Sequence, residues 1–157
     1  MLNELWAKLT AREKFVVYGS GAAVIGWIVG MILGTKTYGG GSISGIAIPG
    51  VSVNFYTGNG AGLFDILALL AALAALVVVY LKVAPNMNVT WPMPVGQIIL
   101  GLTAIAAAAG VIALLMQFTN GVGVGDDPIF MWVADILVIG GAGFAAYNAY
   151  LEFQAAK

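Results

Sequence analysis

The chain has 157 residues, of which 61% are hydrophobic and 8% are charged, and its formal net charge is −1. Soluble domains usually carry about 25% charged residues, so this composition predicts an integral membrane protein, and the lack of a basic excess excludes a nucleic-acid-binding protein. The sequence contains no Cys and no His, which excludes disulfides, thiolate nucleophiles and sites where His holds a metal or a haem.

The first segment, 1–13, is predicted to form a short amphipathic helix at the membrane interface. Its large apolar side chains recur at helical spacing and fall on one face: Leu2, Leu5, Trp6 and Leu9. The alternative is a frayed polar terminus. Thr10 and Glu13 have the spacing of a capping box, in which each side chain accepts a hydrogen bond from the backbone N–H of the other residue. A new helix is therefore expected to begin there.

Four apolar segments are long enough to cross the hydrocarbon core of a bilayer, which takes about 20 helical residues. They are 14–35, 62–82, 95–119 and 128–152. Backbone polar groups in lipid must be paired within the segment, so these spans are expected to be helices. Asp127 followed by Pro128 predicts the start of the last span. The predicted fold is an all-α integral membrane protein with four transmembrane helices in one domain, 1–157.

The cations predict the orientation of the chain. Five of them fall on the side of the membrane that also carries both termini: Lys8, Arg12, Lys14, Lys82 and Lys157. Lys36 alone falls on the other side. Because Lys and Arg concentrate in cytoplasmic segments, both termini are expected in the cytoplasm. A membrane protein without disulfides fits a prokaryotic plasma membrane, which is the inner membrane in cells that have two membranes.

The first outer loop, 36–61, is predicted to contain a small β-hairpin. Apolar and small residues alternate in 43–48 and again in 51–55, on either side of Pro49 and Gly50. A lone hairpin is marginal in water, so its apolar residues are expected to contact the bundle or a neighbouring subunit. These residues are Ile46, Ile48, Val51, Val53 and Phe55. The alternative is a flexible, glycine-rich loop.

Small residues recur every four positions along the first span and predict a helix-packing face. They are Ala22, Gly26, Gly30 and Gly34. This spacing forms a groove that a second helix can approach closely. The last span offers a matching face at Gly141, Ala145 and Ala149.

Two carboxylates lie within the predicted spans. An ionisable group in lipid is costly and is therefore a functional candidate. Asp65 lies in the first turn of the second span, where the helix dipole favours a negative charge and a structural role is the simpler interpretation. Asp135 lies about two turns into the fourth span. It is expected either to pair with Lys36 or to form an ion or proton site.

These features favour a non-enzymatic membrane protein that self-associates, or that serves as an accessory subunit of a larger membrane complex. The expected partners are the lipid bilayer and further copies or other membrane subunits, with no cofactor. The alternative is a subunit of an ion or small-solute channel or transporter, with Asp135 in an outer vestibule. An enzyme relying on carboxylates alone is disfavoured, because the usual catalytic side chains are scarce.

Overall fold

The computed structural model describes residues 2–38, 40–43, 46–54, 62–85, 89–119 and 129–155. The helices in these ranges are α1 (Leu2–Lys8), α2 (Ala11–Leu33), α3 (Gly62–Val83), α4 (Val95–Thr119) and α5 (Ile129–Ala155). The strands are β1 (Thr35–Tyr38), β2 (Gly41–Ile43), β3 (Ile46–Ile48) and β4 (Val51–Asn54). Helices α2 to α5 are each long and apolar enough to cross a membrane, which confirms the four predicted spans.

Helix α2 begins at the predicted capping box. The Thr10 hydroxyl accepts a hydrogen bond from the Glu13 backbone N–H at 3.1 Å, and the Glu13 carboxylate accepts one from the Thr10 N–H at 2.9 Å. Both side chains satisfy backbone donors that the first helical turn leaves unpaired. The capping box begins α2 as a separate helix. The segment 1–13 was predicted to be a single helix, but α1 ends at Lys8. The interfacial position of α1 stays a prediction.

The four long helices form a closed ring in which each helix packs against the helix before it and the helix after it. Helix α5 closes the ring on α2, and this is the most extensive contact among the described helices. At the end where α2 begins, the Arg12 guanidinium donates a hydrogen bond to the Leu151 carbonyl near the end of α5. We call this the terminal end of the bundle, and the opposite end, where β1 follows α2, the hairpin end.

The middle of the bundle is filled mainly by alanine. The buried residues there include Ala72, Ala75, Ala106, Ala109, Ala142 and Ala145. Larger apolar side chains, among them Ile25, Leu70 and Ile136, are exposed on the outer surface. Lipid chains are as apolar as these side chains, so burying them between helices would release little free energy, whereas small residues let the helix backbones approach.

The strand pairing predicted across Pro49 and Gly50 is wrong. Strand β1 pairs with β4 and β2 pairs with β3, both antiparallel. In the β1–β4 ladder, Tyr38 lies opposite Val51. Counting three residues forward from Tyr38 and three back from Val51 gives Gly41 opposite Ile48, which is the first pair of the β2–β3 ladder. One hairpin register therefore runs through both ladders, and the chain reverses between β2 and β3.

The interruption of this hairpin has a local cause. Pro49 has no N–H to donate to a ladder, and Gly40 has a φ of +89°, a left-handed conformation that glycine adopts without strain. The added Cβ of a side chain at Gly40 would lie 3.6 Å from the Gly50 backbone, so the two glycine-containing segments run side by side. The Pro49–Gly50 pair thus breaks the ladder and does not turn the chain.

Candidate functional site

Two carboxylates lie inside the hairpin end of the bundle. Asp65 in the first turn of α3 is 1% exposed, and Asp135 on α5 is 4% exposed. The buried amide of Gln117, on α4, donates a hydrogen bond from Nε2 to Asp135 Oδ1 at 3.5 Å. Three helices therefore each supply one polar side chain to this region. We call Asp65, Gln117 and Asp135 the acidic site.

Asp65 is the member of the acidic site whose burial is offset by the fewest hydrogen bonds in the described structure. Its carboxylate is buried at the same end of the bundle as that of Asp135, so the two repel each other when both are charged, and its Oδ2 atom has no hydrogen-bond partner within the described part of the chain. A buried carboxylate oxygen without a donor loses its hydration and gains nothing in return. Both aspartates can be identified from the sequence, but their association across α3 and α5 and the role of Gln117 cannot.

The proposed pairing of Asp135 with Lys36 involves a side chain outside the described part of the structure. The backbone of Lys36 lies in β1, opposite Val53. The Lys36–Asp135 pair therefore stays a prediction.

The small-residue face of α2 packs against α5. A Cβ at Gly26 would lie 2.7 Å from Leu137 Cβ and 2.8 Å from the Ala134 carbonyl oxygen, so the helices approach there more closely than any side chain allows. Ala22 is half-buried, and Gly30 and Gly34 are buried. Gly34 ends α2, with its N–H donating to the Gly30 carbonyl at 2.9 Å.

The matching face on α5 also lies at this contact. A Cβ at Gly141 would lie 3.0 Å from Ala22 Cβ and 2.8 Å from the Ala23 backbone nitrogen. Ala145 and Ala149 are buried. The sequence reasoning missed Gly19, where a Cβ would lie 2.5 Å from the Gly141 carbonyl oxygen. Gly19 and Ala23 are also spaced four positions apart, but the predicted stripe begins at Ala22 and includes neither of them.

The terminal end carries an ion pair that the sequence reasoning did not predict. The Lys82 ammonium group contacts the Glu13 carboxylate, and Glu13 is 3% exposed. Glu13 therefore caps α2 through one carboxylate oxygen and pairs with α3 through the other. The capping pattern gives Glu13 a complete local role, so nothing in the sequence indicates a distant partner.

The hairpin presents exposed apolar side chains. Ile46 is 72% exposed and Val51 is 65% exposed. The Asn54 side-chain amide fixes the base of the hairpin by donating to the Met31 carbonyl at 2.9 Å and to the Thr35 hydroxyl at 3.0 Å. The side chains of Ile48 and Val53, and the whole of Phe55, lie outside the described residues.

Within the described ranges, no group of three Asp, Glu, His or Cys side chains is placed to hold a metal ion. Comparisons with protein-family models, with curated proteins and with solved structures find no match to this chain. The physical features of the bundle and the hairpin are therefore the basis for assigning a function.

Proposed function

We propose that this protein is a non-enzymatic structural subunit that assembles in the membrane, with further copies of itself or with other membrane subunits, through its hairpin. The observation that carries this proposal is the exposure of Ile46 and Val51 beyond the hairpin end of the helices. Exposed apolar side chains outside the bilayer are unfavourable in water and are typical of a surface that a partner covers.

The geometry of the hairpin favours a partner over folding back onto the bundle. Ile46 lies in β3 and Val51 in β4, on either side of Pro49 and Gly50. Both side chains stay exposed although the hairpin is anchored to the bundle at its base. The Asn54 hydrogen bond to α2 holds the base of the hairpin in place, which limits the entropy lost when the hairpin binds a partner.

The helix surfaces also leave room for a neighbouring subunit. An added Cβ at Gly21, Gly140 or Gly143 would meet nothing within 4 Å. These glycines are not used in packing α2 against α5. They lie on surfaces where another helix can approach closely, which supports assembly through helices as well as through the hairpin.

The mass of the native particle in lipid nanodiscs tests the assembly. We expect a particle that contains more than one polypeptide. Replacing both Ile46 and Val51 with Lys should reduce it to a single chain, because two charges would have to be buried in the contact. Ser42→Lys is the matched control, since Ser42 is exposed on the same hairpin but is not apolar. Wild-type protein that remains a single chain in nanodiscs, even when purified gently from its native membrane, would contradict the proposal.

A second candidate function, ion or small-solute passage, is supported by the buried Asp65 oxygen that has no donor in the described structure. A proton or a cation would neutralise the acidic site, and ionisable groups inside membrane bundles commonly mark such pathways. In this case Asp65→Asn and Asp135→Asn should each abolish ion or proton flux in reconstituted vesicles while the fold persists. Asn148→Ala, which removes a buried amide elsewhere in α5, serves as the control. Equal flux in wild type and in both Asn variants would exclude this function.

We also propose that the terminal end faces the cytoplasm of a prokaryotic cell, so that the membrane is its plasma membrane. Arg12 and Leu151 bring the two chain ends together, and the nearby Lys14 and Lys82 add to the positive charge there. This charge distribution supports the orientation through the preference of Lys and Arg for cytoplasmic segments.

A further inference from the structure

A groove near the terminal end lies between α1, α2 and α3. It has a volume of about 270 Å³. Its walls are almost entirely apolar and include Leu9 just after α1, Val17 from α2, and Leu76 and Val79 from α3. Helix α1 packs against α3 and so covers one side of the groove. We call this the α1 groove.

The rim of the α1 groove is aromatic and cationic. Trp6 and Tyr80 line it. The Lys14 ammonium group lies 5.8 Å from the centre of the Trp6 ring, and Tyr18 packs edge-to-face on the same ring at 5.4 Å. Tyr and Trp side chains of this kind sit at the level of lipid headgroups, with their apolar parts toward the acyl chains. The rim therefore lies where a headgroup would be, with the apolar groove beside it.

Two other cations at the terminal end are already engaged. Lys82 pairs with Glu13, and Arg12 donates to the Leu151 carbonyl. Lys14 is different, because its contact is the face of an aromatic ring, which leaves the three ammonium donors able to reach an anion. The charge at the rim thus complements a phosphate group.

We propose that the α1 groove is a binding site for an anionic phospholipid, with one acyl chain in the groove and the phosphate held by Lys14. An acyl chain supplies the dispersion contacts that water cannot offer to the apolar walls. In this arrangement the indole of Trp6 positions the ammonium group of Lys14, and Tyr80, which is exposed at the rim, donates a hydrogen bond from its hydroxyl to the headgroup. The lipid thereby joins α1 to the transmembrane helices. This site is independent of the hairpin contact.

Native mass spectrometry of the delipidated full-length protein tests the proposal, by titration with phosphatidylglycerol or with phosphatidylcholine carrying the same acyl chains. We expect one saturable lipid that prefers the anionic headgroup. Leu76→Trp should remove this binding step by filling the groove. Val77→Trp is its control, because Val77 is the neighbouring residue, is exposed, and does not line the groove.

A second variant keeps the test valid if Leu76→Trp fails to fold. Lys14→Gln should weaken binding of phosphatidylglycerol about fivefold, the contribution of one cation at an anionic surface, and leave phosphatidylcholine unaffected. Arg12→Gln removes one positive charge from a residue that donates to the Leu151 carbonyl and does not line the groove, and it should have no effect on lipid preference. Equal affinity for the two lipids, or equal weakening by Leu76→Trp and Val77→Trp, would overturn the proposal.

Discussion

Gly19 and Gly141 face each other across the α2–α5 contact in a reciprocal arrangement. A Cβ on Gly19 would lie 2.5 Å from the Gly141 carbonyl oxygen, and a Cβ on Gly141 would lie 2.6 Å from the Gly19 carbonyl oxygen. Real Cβ atoms do not approach a carbonyl oxygen this closely. The separation of the two helices is therefore set by backbone contact and tolerates glycine alone at both positions.

The α2–α5 contact predicts that enlarging Gly141 destabilises the bundle. Gly141→Leu should lower the free energy of unfolding by about 1–3 kcal/mol or more, because the helices must separate to admit the side chain. Thermal unfolding in detergent, followed by tryptophan fluorescence, measures the loss. Gly140→Leu is the control, since an added Cβ at Gly140 meets nothing within 4 Å. Equal melting temperatures for the two variants would show that the contact does not limit stability.

The Glu13–Lys82 pair predicts an energetic coupling between α2 and α3. Glu13→Gln keeps a side chain that suits the third position of a capping box but removes the charge. Lys82→Met in the wild-type protein leaves the buried Glu13 carboxylate unpaired, whereas in the Glu13→Gln variant there is no carboxylate to leave unpaired. Lys82→Met should therefore lower the free energy of unfolding more in the wild type than in the Glu13→Gln variant. We expect a coupling energy of about 0.5–3 kcal/mol from a double-mutant cycle. A coupling energy of zero would mean that the contact contributes no stability.

The acidic site predicts opposite effects of two substitutions on stability. Asp65→Asn removes a buried carboxylate whose Oδ2 has no donor in the described structure and should raise the melting temperature by about 2–4 °C, which corresponds to roughly 1 kcal/mol in a chain of this size. Gln117→Leu should lower it, because Asp135 loses the amide that donates to its Oδ1. Melting curves of both variants beside wild type provide the measurement. A lower melting temperature for Asp65→Asn would show that its charge is stabilised in the native protein.

The proposed orientation predicts where reporter proteins are active. A reporter that functions only in the cytoplasm should be active when fused after Lys157. The same reporter inserted between β2 and β3 should be inactive, because the hairpin belongs to the opposite end of the bundle. Reversed activities at the two positions would overturn the orientation while leaving the four-helix fold unaffected.

The membrane class, the four spans and the start of α2 could all be predicted from the sequence. Each depends on local information: the length of an apolar run, the scarcity of charge, and the three-residue spacing of Thr10 and Glu13. A bilayer imposes helical pairing on any segment that crosses it. The ends of the predicted spans accordingly lie close to those of the observed helices, and the two bounds of α4, Val95 and Thr119, coincide with them.

Tertiary structure decided which residues meet. The pairing of β1 with β4 depends on the register between two segments that are distant in the sequence. The local pattern predicted a turn at Pro49 and Gly50, whereas the chain reverses between β2 and β3. Gly19 belongs to the α2–α5 contact because a helix has 3.6 residues per turn, so a stripe repeated every four residues drifts around the helix. The association of Asp65 with Asp135, and of Glu13 with Lys82, arises only when the ring of helices closes. One sequence pattern is compatible with several helix rotations, and backbone contact between small residues selects one of them.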